Sequence, residues 1–281
     1  MSVFIPRSEL EKWLLEDVPS LDLTVELLGL KGKRGRLRFV ARQACIICST
    51  EEVERLAGLC GVAVEQAVPS GTKVNEGKVI LTLRGSSEEL HRIWKVGANL
   101  LEYYSGVATR TSELVSKAKA VNPNAEILAT RKHIPGTKAL AVKAVRAGGG
   151  WPHRLGLSET VLIFEQHRVF LSNEEIRHQL QALKTVAVEK KIFLEVATLE
   201  EARAFLAAGA HGVQFDKVRP EVLGEYVGRL KAEFPAGLVL AAGGIRAENV
   251  AAFAATGVDG LVTSSMDHGP PLDIGAKMEP A

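Results

Sequence analysis

The feature that most limits what this chain can become is a series of short apolar runs from about residue 125 onward, recurring very roughly every 20 to 35 residues with helical stretches between them. The runs are Ala125-Glu-Ile-Leu-Ala-Thr, Thr160-Val-Leu-Ile-Phe, Lys191-Ile-Phe-Leu-Glu-Val, Gly212-Val-Gln-Phe-Asp, Leu238-Val-Leu-Ala-Ala and Gly260-Leu-Val-Thr-Ser. Strands that carry so little alternation are strands buried on both faces, as in a parallel sheet covered by helices. Two of the intervening helices open on a capping box, Ser172 with Glu175 and Thr198 with Glu201, where hydroxyl and carboxylate each take up an orphan backbone donor. The second of these closes on Gly209. Strand and helix alternating about six times predict a partial TIM-like α/β barrel.

A barrel of this kind places its chemistry on the loops that follow the C-terminal ends of its strands. Read in that order, Arg131 and Lys132 follow the first strand and Phe164 the second. Glu195 ends the third, Asp216 the fourth, Gly243 and Gly244 follow the fifth, and Ser264 and Ser265 the sixth. Ahead of the second strand, Gly148-Gly-Gly-Trp-Pro-His153-Arg154 reads as a glycine-rich loop ending in two cationic side chains. Arg131, Lys132, His153 and Arg154 are donors for a carboxylate or phosphate, and the arginines can grip one bidentately. Gly243 and Gly244 before a helix start, with Ser264 and Ser265 nearby, suit a phosphate held by backbone N–H groups. Glu195 and Asp216 are suited to Mg²⁺ carrying a polyphosphate. Ion pairing to nearby Lys or Arg is the competing account of the two carboxylates, and a loop hydrogen bond that of His153.

The N-terminal half has a different texture. Short β-rich runs at Arg36-Leu-Arg-Phe-Val-Ala-Arg, Cys45-Ile-Ile-Cys, Val62-Ala-Val-Glu-Gln and Val79-Ile-Leu-Thr-Leu surround one short helix, Glu51 to Leu59. The Pro69 to Ile80 stretch resembles a lipoyl-type hairpin, but Lys73 is poorly placed and a plain β-turn is expected. A helix from Ser87 buries Leu90, Ile93, Trp94 and Ala98, and Gly106 opens a second helix to about Ala120. Cys45 and Cys48 have zinc-like spacing without a second ligand pair, so buried thiols are expected. The run Lys31 to Arg38 reads as a solvated strand edge with Leu37 and Phe39 turned inward, and His167, His178, His211 and His268 receive no role. A net charge of +2 is too small for wholesale binding to nucleic acid or membrane, so any preference for anions must be local. No run reaches the ~18 apolar residues of a membrane span, and charges at Arg7, Glu9, Glu11 and Lys12 argue against a signal peptide. A cytoplasmic protein is the expectation.

Several phrases, taken together, resemble the quinolinate phosphoribosyltransferase (nicotinate-nucleotide pyrophosphorylase, carboxylating) family. They are Leu21-Asp-Leu-Thr, Asn99 with Ser105-Gly-Val-Ala-Thr, Ala129-Thr-Arg-Lys-His-Ile-Pro-Gly, Gly148-Gly-Gly-Trp-Pro-His-Arg-Leu-Gly-Leu, Leu194-Glu-Val-Ala-Thr-Leu-Glu-Glu-Ala and Gly257-Val-Asp-Gly. Within that family, Thr130 to Lys138 and Trp151 to Thr160 look like the ModD branch, pyrophosphorylase-like proteins associated with molybdenum transport. The resemblance implies an N-terminal α/β sandwich domain over residues 1–106 with a dimer-contact helix, an α/β barrel catalytic domain over 107–267, and a tail over 268–281 packing back on the first domain. It implies a homodimer with shared active sites, and attack of a heterocyclic acid's nitrogen on Mg-bound phosphoribosyl pyrophosphate. Glu195, Asp216 and Lys132 would be catalytic, with Glu195 and Asp216 holding the metal. Lys95, Arg131, His153, Arg154 and Phe164 would bind substrate, and Gly243, Gly244, Ser264 and Ser265 phosphate. Three departures stand out: Phe164 replaces a lysine, Lys95 replaces the partner-subunit arginine, and the Leu240-Ala-Ala-Gly-Gly and Val262-Thr-Ser-Ser loops lack the usual acidic, serine and glycine residues. A weakly catalytic nucleotide- or oxyanion-binding protein is the competing function.

Overall fold

The computed structural model describes residues 3–281. In chain order its elements are α1 (Arg7–Asp17), α2 (Leu23–Leu27), β1 (Arg34–Ala41), β2 (Cys45–Ile46), α3 (Thr50–Leu59), β3 (Ala63–Ala67), β4 (Lys73–Val74), β5 (Val79–Ser86) and α4 (Ser87–Lys119). There follow β6 (Glu126–Ala129), α5 (Lys138–Ala147), β7 (Trp151–Pro152), β8 (Val161–Ile163), α6 (Glu165–Arg168), α7 (Asn173–Val186), β9 (Ile192–Val196) and α8 (Leu199–Ala208). The chain ends with β10 (Gly212–Asp216), α9 (Pro220–Glu233), β11 (Leu238–Ala242), α10 (Val250–Ala255), β12 (Gly260–Thr263) and β13 (Ile274–Pro280). Two compact units result. One gathers the residues up to Ser112 with His133–Gly149 and Met266–Ala281, the other Glu113–Lys132 with Gly150–Ser265.

The first unit is built on an antiparallel sheet in the order β13-β1-β5-β3. Strand β1 alternates, burying Leu37, Phe39 and Ala41 while Arg36 and Arg38 pair across the sheet with Glu65 and Glu279, both at 2.8 Å. The basic run is therefore a solvated strand face, as its alternation implies. The tail, read from sequence as an extended segment packed back on the first domain or partly disordered, is an ordered strand paired with β1 from Gly35↔Pro280 to Ala41↔Ile274. The helical region also differs from the sequence reading: α4 is one continuous helix of 33 residues, and Gly106 lies inside it rather than opening a second one. A Cβ at Gly106 would sit 3.1 Å from Arg110 and 3.4 Å from the Pro270 carbonyl, so the glycine serves close packing. Ser105 and Thr109, one turn apart on α4, accept the backbone N–H groups of Cys48 and Ile46 at 2.9 Å each. All three cysteines are buried free thiols; burial pushes Cys48 up to about 11.

Lys143 of α5 is only 2% exposed and pairs with both Glu51, at 2.8 Å, and Glu52 at the start of α3. Ser70 adds its hydroxyl and N–H to Glu51 at 2.5 and 2.9 Å. Burial by itself would raise the Glu51 carboxyl, but the Lys143 and Ser70 hydrogen bonds bring it down to about 2.

The second unit is a seven-stranded sheet in the order β7-β6-β12-β11-β10-β9-β8, every pairing parallel. Sequence reading finds six of these strands. The seventh, β7, forms from what reads as loop when Trp151 and Pro152 pair with Leu128 and Ala129. β7 and β8 stand at opposite ends of the order, so the barrel is open. Because partners in register share a face, Leu162, Phe193, Leu240, Ala242 and Val262 line one side as a buried apolar cluster, with Leu128, Phe164 and Leu238 packed against it. Ser172 caps α7 with a full capping box. At α8 the Thr198 hydroxyl accepts from Glu201 N–H, while the Glu201 carboxylate reaches back to Ala197 N–H instead of Thr198.

Candidate active site

Seven parallel strands bring seven C-terminal ends to one rim, and register decides which of their side chains share the face of the apolar cluster. Gln214 is in register with Glu195 and Leu240, and Asp216 with Ala242. Val262 is in register with Leu128, and Leu128 with Trp151, so two residues further on Ser264, Thr130 and His153 follow. Phe164 comes directly after the last β8–β9 pair, Ile163↔Leu194, opposite Glu195. Glu195, Asp216, His153 and Phe164, with the buried Gln214, thus belong to one face of one sheet. Arg131 and Lys132 follow β6 as exposed side chains.

Arg154 is the most telling cation. It is buried, yet among the described residues it forms no ion pair; its guanidinium meets the Thr160 carbonyl at 3.4 Å and lies 5.8 Å from the Phe164 ring centroid. Burial, with Arg131 adding to it, lowers its pKa. A cation–π contact of about 0.5–2 kcal/mol offsets little of the cost of burying a charge. The group is poised for an anion.

His153 corrects an expectation. Burial, then the positive charges of Arg154 and Arg131, push its imidazole down to about 4 despite the opposing influence of Gln214. At neutral pH it is uncharged, so it does not join Arg131, Lys132 and Arg154 as a cationic donor. Its Nε2 is buried without a hydrogen-bond partner, which also removes the simple loop-bond account of that nitrogen.

The two carboxylates stand on neighbouring strands, β9 and β10. Glu195 accepts from Gln214 Nε2 at 3.3 Å, and its pKa is raised, first by burial and then by the neighbouring Asp216. Asp216 has one ion pair among the described residues, a 3.7 Å approach by the largely exposed Lys217. Neither carboxylate is neutralised by a salt bridge of consequence. Both border a cleft of about 390 Å³, together with Glu165, Arg168, Asn173 and Glu201. That size fits a small-molecule site, and the cleft lies at the acidic side of the rim.

The glycine loop departs from expectation in one respect. Gly243 has φ +89, and a Cβ there would meet Lys217 at 2.6 Å and the Asp216 carboxylate at 2.8 Å, so the glycine permits the β10 and β11 ends to approach. No helix follows it directly. Asn249 closes an intervening turn, accepting Arg246 N–H at 2.8 Å and donating to the Gly244 carbonyl at 3.0 Å, and the six-residue α10 starts only at Val250. Gly243 and Gly244 are therefore not a helix N-terminus. Ser264 and Ser265 follow β12, with Ser265 N–H already donated to Thr263 Oγ1 at 3.0 Å. Lys95 is exposed on the α4 segment that belongs to the first unit, its Nζ 4.8 Å from the Trp94 ring centroid.

Two residues escaped sequence reading. His167 stacks on Phe164, with centroids 5.9 Å apart, and its Nδ1 accepts the Phe164 N–H at 3.0 Å. A histidine four residues after the strand end was the available signal. Gln214, 4% exposed, was signalled only as a polar residue inside an apolar strand.

Residues 22–105 match the family model described as quinolinate phosphoribosyl transferase, N-terminal domain, and residues 107–277 its C-terminal domain. A Rhodobacter capsulatus protein named as the pyrophosphorylase ModD is 41% identical over 84% of this chain and 91% of its own length. A protein of Methanothermobacter thermautotrophicus named as a nicotinate-nucleotide pyrophosphorylase (carboxylating) is 30% identical over 92% of this chain and 93% of its own. Among solved structures, the nicotinate-nucleotide pyrophosphorylase from Francisella tularensis superposes with a TM-score of 0.89 at 24% identity, covering 99% of this chain and 98% of that one.

Proposed function

Because the chain belongs to the quinolinate phosphoribosyltransferase family, we propose that it transfers ribose 5-phosphate from phosphoribosyl pyrophosphate to a ring nitrogen of a planar heterocyclic acid. The observation that supports this best is a buried Arg154 without a counter-ion beside a sheet face that also carries two carboxylates. In the reaction the ring nitrogen forms its bond to C1 as the C1–oxygen bond to pyrophosphate breaks, the bonding pair leaving with the pyrophosphate. Positive charge develops on the ribose, where Glu195 and Asp216 stabilise it, while Arg131 and Lys132 receive the growing negative charge of the leaving group. Arg154 holds the acceptor's carboxylate. Gly243, Gly244, Ser264 and Ser265 would border the 5-phosphate through backbone and hydroxyl donors rather than a helix dipole.

The donor set fits Mg²⁺: two neighbouring carboxylates, of which Glu195 is raised by burial and then by Asp216, would be relieved by a shared cation. Glu195 and Asp216 would hold it, and when bound it supplies charge neutralisation of the pyrophosphate.

The acceptor side differs from that of a quinolinate enzyme. Phe164, stacked on His167, offers an apolar ring edge in place of a lysine. A dicarboxylate facing it forgoes a charge-assisted contact of about 1.5–3 kcal/mol, one to two powers of ten in affinity. The acceptor is accordingly a planar acid with less negative charge than quinolinate and more apolar surface. Titration calorimetry with phosphoribosyl pyrophosphate, with and without Mg²⁺, tests the reading. Metal-dependent binding is expected; metal-independent binding alone would return the oxyanion-binding alternative.

A further inference from the structure

Gln214 has two chemically different ends, and the site satisfies only one of them. Its Nε2 donates to the Glu195 carboxylate at 3.3 Å, while its Oε1 is buried with no hydrogen-bond partner. An ionised carboxylate can only accept, so the amide cannot be turned round without setting oxygen against oxygen. The second orphan of the same sheet face is His153 Nε2, also buried and without a partner. Gln214 is among the groups that act on the imidazole, opposing the lowering of its pKa. A carbonyl oxygen cannot donate, so one arrangement alone pairs the two orphans: His153 Nε2–H donating to Gln214 Oε1.

We infer that Gln214 is a positioning residue, an amide bridge that ties the His153 imidazole to the Glu195 carboxylate and holds His153 in its Nε2–H tautomer. Glu195, Gln214 and His153 then form a chain in which an accepting carboxylate at one end fixes the donor and acceptor roles along it. The neutral imidazole keeps Nδ1 as an acceptor. What meets that nitrogen in a ligand is a donor, a sugar hydroxyl or a ring N–H, and not a carboxylate or phosphate oxygen. This last step rests on the phosphoribosyl transfer reading; the tautomer does not.

The ¹⁵N spectrum of histidine-labelled free protein at pH 7, with the His153 signals assigned by their loss in His153→Gln, is the test. The wild-type chain is expected to show His153 as the Nε2–H tautomer, and Gln214→Met to show a mixture of both. A wild-type Nδ1–H tautomer overturns the inference, whether or not any variant folds, and so does an unchanged tautomer in a folded Gln214→Met. In turnover, Gln214→Met is expected to lower kcat roughly 10–100-fold, the range for a supporting residue behind a reacting group, with a smaller change in KM. A fall confined to KM would count against positioning. Should the wild type show no phosphoribosyl transfer at all, the proposed reaction fails while the tautomer measurement still decides the role of Gln214.

Discussion

Phe164 and His153 show how a residue's type and its surroundings can point in different directions. Phe164 was legible as a departure only through the family resemblance, which implies a lysine at that strand end. Restoring that cation by Phe164→Lys should tighten quinolinate binding about 10- to 100-fold, from a contact of about 1.5–3 kcal/mol; calorimetry with quinolinate reads it, and no gain would mean that residue 164 does not face the acceptor. His153 was misread as a cationic donor, since burial is invisible in composition. With its imidazole held down to about 4, binding and turnover should show no ionisation near the ordinary histidine value of about 6.5 from this residue. The folded-state pKa of a base is lowered here, so protonation favours the unfolded chain. Stability is intact above about 6.5 and declines as pH falls from there to about 4. An NMR titration of His153 with midpoint near 6.5 would refute this. Gln214 could not be found at all without register, because a lone glutamine in a strand gains meaning only once Glu195 is known to lie beside it.

At the scale of elements, local rules predicted most strands and helices, and they failed where tertiary packing overrides them. Gly106 looked like a helix boundary, yet α4 runs through it, and Arg110 and Pro270 occupy the space a side chain there would take. β7 was missed because two residues, one of them a proline, carry no periodicity; pairing with β6 creates the strand. The resemblance implied that the tail packs back on the first domain; that it does so as a strand was not legible, because its order comes from β1. Ser105 and Thr109, legible as motif residues, hold together the Cys45–Cys48 segment through its backbone. Ser105→Ala should leave the fully buried Cys48 N–H unpaired and cost about 1–3 kcal/mol of unfolding free energy, read by urea denaturation. The α3–α5 contact is more demanding. Lys143→Met removes the cation from two carboxylates, one of them as buried as the lysine, and should cost about 3–5 kcal/mol. Glu51, depressed to about 2, contributes stability that is complete above the unfolded value of about 4.3 and lost as pH falls through about 2. A chain whose stability at pH 3 equals that at pH 7 would show that this network contributes nothing.

At the scale of the whole molecule, the two matching family-model regions and the parallel sheet account for one set of strand ends, but Lys95 lies outside that set, on α4 of the first unit. We propose that a second copy of the chain offers Lys95 to this copy's site; Leu21, Leu23, Leu27 and Leu28 around α2 are exposed apolar residues that such a partner would cover. Sharing of this kind has a signature that no self-contained site can produce. Lys95→Ala and Glu195→Gln should each be inactive as pure preparations, since every site then lacks one of the two residues. Mixed and allowed to exchange, half of the dimers become hybrids, and each hybrid holds one site with both residues intact; about a quarter of wild-type activity should return. If Lys95 instead acts within its own chain, or not at all, hybrids gain nothing over the parents and the mixture stays at their average. Sedimentation of the same samples separates the remaining case: a monomer at assay concentration would remove the shared site altogether and leave each site without a partner's Lys95.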